Sequence, residues 1–198
     1  MISGAGLRAS LLRAASVLLL ASLPVAAQEE LWDFARLMAQ LAQVQSSRAR
    51  YSEVRRVAVL QKPLQLSGTL LYARPARIEK RQILPFEEVI RVDGDRLTVE
   101  REGKTREIML QSAPLIAGLV ESLRATLAGD ATELERLYSV RVRGTRQRWT
   151  LELTPREVEI AGVVKSILVA GSDSRVARLE ILEPSGDGSV MTIHEESP

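Results

Sequence analysis

Short runs of alternating polar and apolar residues recur from Arg48 almost to the end of the chain. A period of two predicts β-strands, because successive side chains of a strand point to opposite faces of a sheet. The predicted strands cover residues 48–59, 64–73, 76–84, 86–92, 95–101, 105–110, 138–143, 147–154, 163–170, 175–183 and 188–194. Asp93-Gly94, Gly103, Gly144 and Gly171 are among the residues that mark the turns. A chain patterned in this way folds around antiparallel strands that follow one another in sequence order.

Apolar residues spaced three and four apart predict helices in two places. Residues 29–46 carry Leu31, Phe34, Met38 and Leu41 at this spacing. The second place lies between the two groups of strands, where Ser112 and Pro114 are favourable starting residues and Gly129 is a stop. Asp130 with Glu133 resembles a capping box for a further short helix that ends at Leu137. The pattern therefore predicts an α+β fold. Gly68, inside the second strand, predicts a bulge or a tight bend.

The first 27 residues have the features of a secretory signal peptide. Arg8 and Arg13 form a basic leader, residues 14–23 are apolar, and Val25-Ala26-Ala27 provides the small residues of a cleavage site. An apolar run this short is not expected to span a bilayer. We therefore expect cleavage near Ala27, export to the periplasm, and a single domain over residues 28–198.

Composition excludes several classes of function. Without Arg8 and Arg13 the basic residues equal the 25 acidic ones, so charge gives no case for nucleic-acid binding. Cysteine is absent, which rules out disulfides, thiolate metal sites, cysteine nucleophiles and lipidation at a cysteine. His194 is the only histidine, and Glu87-Glu88 and Glu195-Glu196 are neighbours that point to opposite faces of a strand. We expect no enzyme activity, no metal and no cofactor.

Several motifs occur in the order and spacing of one known family. They are Gly68, Leu70 and Tyr72-Ala73-Arg74-Pro75, which match a G-x-L-hydrophobic-x-x-R-P segment, then Pro85 before a strand that ends in Asp93-Gly94, the central helices, and Leu153-Thr154-Pro155. With these motifs the chain resembles the LolA superfamily of periplasmic lipoprotein carriers over residues 30–194. Ile78, Glu79 and Lys80 stand where the family usually has aromatic residues, and Thr98 stands where an aromatic often follows Asp-Gly. These departures indicate a divergent branch.

The resemblance implies an open antiparallel half-barrel, a curved sheet with helices covering the concave face. It also implies that Arg74 holds a helical lid closed by hydrogen bonds to backbone, whereas the residue alone also fits a turn with a solvated side chain. The candidate cavity-lining residues are Val57, Val59, Leu64, Leu66, Leu70, Tyr72, Val89, Leu97, Val99, Leu115, Leu119 and Leu123. Each could instead belong to an ordinary core, because alternation alone does not say which face lines a cavity.

The function that the resemblance implies is transport of an acylated molecule. We expect a monomeric carrier that shields the acyl chains of a lipoprotein, or of another lipid or glycolipid, during transfer toward the outer membrane. An inner-membrane exporter would supply the cargo and an outer-membrane acceptor would receive it. A sensor or interaction domain that binds lipid to signal envelope stress is the alternative.

Overall fold

The computed structural model describes residues 32–196, so the signal-peptide prediction lies outside the described residues. Eleven strands and four helices are found there. In chain order they are α1 Phe34–Leu41, β1 Ser46–Arg56, β2 Leu64–Ala73, β3 Arg77–Leu84, β4 Glu88–Asp93, β5 Arg96–Arg101, β6 Lys104–Met109, α2 Pro114–Ala128, α3 Ala131–Leu137, β7 Tyr138–Thr145, β8 Arg148–Pro155, α4 Val158–Ala161, β9 Ser166–Ser172, β10 Arg175–Leu182 and β11 Gly188–Glu195. A 3₁₀ turn, Leu110–Ser112, precedes α2.

All eleven strands form one antiparallel sheet with the order β6-β5-β4-β3-β2-β1-β11-β10-β9-β8-β7. The sheet is two meanders joined by the pairing of β1 with β11, in which Tyr51 lies opposite Ile193. Because β6 and β7 are not paired with each other, the sheet stays open. This is the predicted α+β fold: an open, curved antiparallel sheet with helices on its concave face.

The bulge predicted at Gly68 is present. The register between β2 and β3 shifts between Ser67 and Gly68. A Cβ at Gly68 would lie 1.9 Å from the carbonyl oxygen of Arg81, so only glycine fits here. Gly68 lies directly opposite Tyr51 of β1.

The helices begin and end largely where the sequence indicates. The Asp33 side chain caps α1 by accepting a hydrogen bond from the Arg36 amide at 2.9 Å. Asp130 caps α3 in the same way, through the Glu133 amide at 3.0 Å, which confirms that predicted cap. Gly129 ends α2 in the left-handed conformation, with φ at +68°.

Three details differ from the sequence predictions. Helix α1 is shorter than the predicted 29–46, since it ends at Leu41 and the chain is already in β1 at Ser46. The four-residue helix α4 was not predicted, because a single turn carries no periodic signal. Strand β1 ends at Arg56, so Val59 lies in the following turn and is 88% exposed.

The buried apolar residues form three separate clusters. The largest joins α1 and α3 to β8 and β9 and contains Trp149, whose indole nitrogen donates to the carbonyl oxygen of Asp173 at 2.9 Å. A second cluster packs Val120 of α2 against Val92 and Leu97. The third lies between them on the middle strands. Helices therefore cover the two wings of the concave face through clusters of their own.

Candidate functional site

The third cluster is built from strand residues only. We call it the central patch; its members are Tyr51, Leu66, Leu70, Leu179, Met191 and Ile193. The pairings between strands put all of these side chains on one face, because residues directly opposite in antiparallel strands share a face. The same face carries Val92 and Leu97 on one wing and Leu151 and Val169 on the other. The central patch is therefore the middle of the concave face.

Ionisable side chains lie on the concave face beside the central patch. Glu53 is only 5% exposed, and its carboxylate accepts a hydrogen bond from Lys80 Nζ at 2.7 Å. The ammonium group lies 4.9 Å from the centre of the Tyr51 ring, within the range of a cation–π contact. Gln82 is also 5% exposed and donates from its amide nitrogen to the Phe86 carbonyl at 3.1 Å. Tyr51, Glu53, Lys80 and Gln82 are together called the inner polar cluster.

Within residues 32–196, two phenols of the concave face have no hydrogen-bond partner. The hydroxyls of Tyr51 and Tyr72 are both buried and unpaired, although their residues are only 3% and 5% exposed. Burial, together with the negative charges of Glu53 and Glu88, raises the pKa of the Tyr51 phenol above its ordinary value. The hydroxyl of Tyr51 therefore stays protonated and can donate as well as accept a hydrogen bond.

Arg74 joins the sheet to the ends of two helices. Its Nη2 donates to the carbonyl oxygens of Ala42 and Ala128, each at 2.8 Å, and its Nε donates to that of Val44 at 3.1 Å. Ala42 follows the last residue of α1, and Ala128 is the last residue of α2. Carbonyls at helix C-termini lack intrahelical partners and carry partial negative charge, so a guanidinium suits this position.

The same junction requires close contact between α1 and α2. A Cβ on Gly129 would lie 2.2 Å from the carbonyl oxygen of Met38 and 2.6 Å from the amide nitrogen of Ala42. Farther along α2, the Arg124 side chain donates to the Gly94 carbonyl in the turn between β4 and β5. Helix α2 is thus fixed to the sheet at Arg74 and Arg124.

The structure brings some of the predicted lining residues together on the concave face. Leu66, Tyr72 and Leu97 are buried there, and Leu70 and Val99 are half-buried. Leu119 is half-buried and packs against the largest cluster, and Leu115 is half-buried on the same helix.

Other predicted lining residues are on the outer face, beyond the strands or exposed to solvent. Val89 is buried, but it lies opposite Arg81 on the outer face of the sheet. Val57 lies beyond the end of β1, and Val59 is in the turn that follows it. Leu64 is on the concave face but 36% exposed at the end of β2, and Leu123 is 41% exposed on α2. Helix α2 instead buries Ser122 and Thr126, whose hydroxyls bond to helix carbonyls.

Sequence reasoning did not identify Glu53, Lys80 and Gln82 as site residues. Charged residues in a strand normally predict its solvent face. Strand β3 carries charged residues on both faces, so the sequence does not indicate which face points inward. The available signal was the register: Glu53 lies opposite Leu66, and Lys80 lies opposite Leu70. Both charged residues therefore share a face with the apolar residues of β2.

At one end of β1 and β2 the surface has a recess. It has a volume of about 830 Å³ and is lined by Ser46–Arg48, Leu71–Ala73, Arg175, Glu195 and Glu196.

Within residues 32–196 no group of three or more His, Asp or Glu side chains is placed to hold a metal ion. No helix in that part of the chain is long and apolar enough to cross a membrane.

An open antiparallel sheet with helices over a partly apolar concave face has the architecture of a half-barrel. The sequence matches the family model described as outer membrane lipoprotein carrier protein LolA-like over residues 26–192. The chain belongs to this family. No curated protein matches it.

Solved structures with a similar fold include three from different bacteria. A LolA superfamily protein from Nitrosomonas europaea is 11% identical with a TM-score of 0.43, covering 82% of this chain and 93% of that one. An outer membrane lipoprotein-sorting protein domain from Vibrio parahaemolyticus, described as putative in its own name, is 7% identical with a TM-score of 0.45, covering 83% and 91%. Lipoprotein LppX from Mycobacterium tuberculosis is 12% identical with a TM-score of 0.39, covering 82% and 96%.

Proposed function

We propose that this protein is a periplasmic carrier that binds the acyl chains of a lipoprotein or another lipid during transfer toward the outer membrane. The central patch is the observation that carries the proposal. It is an apolar surface made by strands alone, in the middle of a concave face whose wings are covered by helices. An acyl chain laid against this patch leaves water, which favours binding by about 0.8 kcal/mol per buried CH₂.

In this proposal Arg74 is the latch of the closed form. Its three hydrogen bonds join β2 to the C-terminal ends of α1 and α2, which pack over the sheet. An acyl chain that enters beneath the helices must displace them, and these bonds would then break. The latch therefore makes the affinity for cargo lower than the apolar contacts alone would give, and this favours release.

The remaining parts of the proposal concern location and partners. The features of residues 1–27 support export to the periplasm, and membership of a lipoprotein carrier family supports an inner-membrane donor and an outer-membrane acceptor. Binding and release of an acyl chain break no covalent bond, so the role needs no catalytic group. We propose that the protein acts as a monomer.

The first test is to identify the cargo. The mature protein is purified from its native envelope, and co-purifying molecules are identified by mass spectrometry. We expect an acylated species in stoichiometric amount, and binding of a dansylated fatty acid to the emptied protein. The absence of both would contradict the proposal.

The second test uses two neighbouring residues of β2 that point to opposite faces. Leu70→Gln polarises the central patch, whereas Leu71→Gln makes the same change on the outer face. We expect weaker binding of the dansylated fatty acid only for Leu70→Gln, with circular dichroism showing that both variants fold. Equal effects of the two changes would argue against the concave face as the binding surface.

A third measurement separates a carrier from the alternative, a lipid sensor. A carrier moves acylated cargo from donor vesicles to acceptor vesicles, whereas a sensor only binds it. We expect the protein to accelerate this transfer. Binding without any acceleration would favour the sensor.

A further inference from the structure

The inner polar cluster lies where a carrier of plain hydrocarbon would have only apolar residues. Tyr51 belongs both to this cluster and to the central patch. Glu53 lies directly opposite Leu66, and Lys80 directly opposite Leu70, so each charged residue is next to an apolar member of the patch. An acyl chain on the patch would therefore bring its polar end close to these groups.

The Tyr51 hydroxyl is the unsatisfied group of this cluster. The residue is only 3% exposed, and its hydroxyl has no hydrogen-bond partner in the part of the chain that the structure describes. A buried polar group without a partner is unfavourable, so such groups are uncommon unless ordered water or a ligand completes them. The Lys80 side chain is 30% exposed while that of Glu53 is 6% exposed, so the cluster is reached from the Lys80 side.

The charges of the cluster are balanced. The Glu53 carboxylate is paired with Lys80 at 2.7 Å, and the neighbouring Glu88 carboxylate is 4.0 Å from Arg101. A balanced site gives no electrostatic preference for an anion or a cation. Carboxylate, ammonium and phenol together offer both acceptors and donors. A hydroxyl or an amide, which both donates and accepts, is the kind of group that matches them.

We propose that the inner polar cluster binds an uncharged hydroxyl or amide group at the head of the acyl cargo, with Tyr51 as the contacting residue. This inference rests on the proposed function, because it assumes that acyl chains occupy the central patch. It adds selectivity: among molecules with the same chain, the protein prefers one whose head can donate a hydrogen bond. The contrasting interpretation is that Glu53 and Lys80 only tie β1 to β3 and contact no ligand.

The test is competition against a dansylated fatty acid bound to the emptied wild-type protein. The competitors share the lauroyl chain: monolauroylglycerol carries hydroxyls, lauramide carries an amide, and methyl laurate has no hydrogen-bond donor. We expect the first two to displace the probe at concentrations about tenfold lower than methyl laurate, as one or two additional hydrogen bonds allow. Equal potency of all three in the wild-type protein would overturn the inference and leave acyl binding intact. Failure of the probe to bind at all would overturn the proposed function itself.

Two variants test whether Tyr51 is responsible for the preference for hydroxyl and amide heads over methyl laurate. Tyr51→Phe removes the hydroxyl and keeps the ring, so the tenfold preference should fall to about twofold or less. Tyr138→Phe is the control, because Tyr138 is a buried phenol in the largest cluster, away from the central patch, and its hydroxyl is hydrogen-bonded to Ser122 at 2.9 Å. Loss of the preference in Tyr138→Phe but not in Tyr51→Phe would refute the assignment.

The thermal stability of Tyr51→Phe distinguishes a ligand-binding role of the hydroxyl from a structural role, because the two roles predict different changes in the midpoint of unfolding. The hydroxyl has no partner among the described residues, so its removal should leave the midpoint of thermal unfolding unchanged or raised. A lowered midpoint would mean that the hydroxyl serves the fold rather than a ligand. The wild-type competition requires no variant and is decisive even if a variant fails to fold.

Discussion

Arg74 is the residue whose side chain links the largest number of elements at the candidate site. Its guanidinium donates three hydrogen bonds to backbone carbonyls at the ends of α1 and α2, and its own backbone amide donates to Gln45 at 3.0 Å. The sequence indicated an arginine before a proline, which also fits a solvated turn. Only the folded chain brings the ends of two helices, distant in sequence, next to this turn.

We predict that Arg74→Leu lowers the free energy of unfolding by about 2–4 kcal/mol, since three charge-assisted hydrogen bonds are lost and helix carbonyls are left unpaired. The exposed Arg77 of β3 is the control, and Arg77→Leu should cost less than about 0.5 kcal/mol. Urea denaturation measures both values. Similar values for the two variants would show that Arg74 does not hold the helices.

A second prediction for a single residue concerns how the free energy of unfolding changes with pH in the alkaline range. The raised pKa of Tyr51 means that the folded protein keeps the phenol proton at a pH where the unfolded chain has lost it. The stability from this proton is fully present below about pH 10 and is lost as pH rises toward the higher folded pKa. Wild-type protein should therefore lose stability more steeply above about pH 10 than Tyr51→Phe.

The test is to measure the free energy of unfolding of the wild-type protein and of Tyr51→Phe across the alkaline pH range. Burial also raises the pKa of Tyr138, so both proteins retain part of the slope, and the difference between them is the quantity of interest. Parallel curves would mean that the Tyr51 phenol is not shielded in the folded state.

Single residues also show where sequence reasoning is limited. Val89 is apolar, which favours an inward position, yet it lies on the outer face of the sheet. Lys80 is charged, which favours a solvent-facing position, yet it lies on the concave face against Glu53. In both cases the side-chain type is a poor guide to the face; for Lys80 the opposite charge of Glu53 compensates for the inward position.

At the scale of elements, the junction of α1 and α2 depends on one glycine. Gly129 has a φ of +68°, and a Cβ there would lie 2.2 Å from the Met38 carbonyl oxygen. We predict that Gly129→Ala costs more than about 2 kcal/mol of unfolding free energy, because left-handed strain adds to a backbone clash.

Gly94 offers a matched control for this substitution. Its φ is +53°, but no atom lies within 4 Å of the position of a Cβ. Gly94→Ala should therefore cost about 1 kcal/mol from conformation alone. Chemical denaturation compares the two variants. A cost for Gly129→Ala no greater than that for Gly94→Ala would mean that α1 and α2 separate easily.

Most elements were predictable from local pattern. Period-two alternation and turn residues gave the strands to within a few residues, and Asp130 with Gly129 gave the boundary between α2 and α3. The buried side of α2 was less well predicted: the candidate lining residue Leu123 is 41% exposed, while Ser122 and Thr126 are buried. A hydroxyl that bonds to the carbonyl four residues earlier can be buried in a helix, and a hydropathy pattern does not register this.

At the scale of the whole molecule, the two meanders differ in how they are covered. The largest cluster, under α1 and α3, contains nine or more side chains that are almost fully buried, including Leu151 and Leu153 of β8. The cluster under α2 has four buried members, each 4–8% exposed. We predict slow amide hydrogen exchange in β8 and β9 and faster exchange in β5 and β6, measured by mass spectrometry. Equal protection of both wings would mean that the sheet opens as one unit.

The pairing that joins the two meanders was not predictable from the sequence. Each meander follows from consecutive strands, but β1 and β11 lie about 140 residues apart and no turn connects them, since Tyr51 pairs with Ile193. This pairing creates the central patch, whose members come from β1, β2, β10 and β11. The site was therefore less predictable than the fold, because it depends on the pairing of β1 with β11, which are distant in sequence.

Trp149, buried in the largest cluster, also has a spectroscopic consequence. The chain has only two tryptophans, and the other, Trp32, packs against the same cluster. Both indoles are therefore on one wing, and an acyl chain on the central patch would lie to one side of them. They form a built-in energy-transfer donor for a dansyl group, so the arrival and departure of a labelled chain can be timed without adding a fluorophore to the protein.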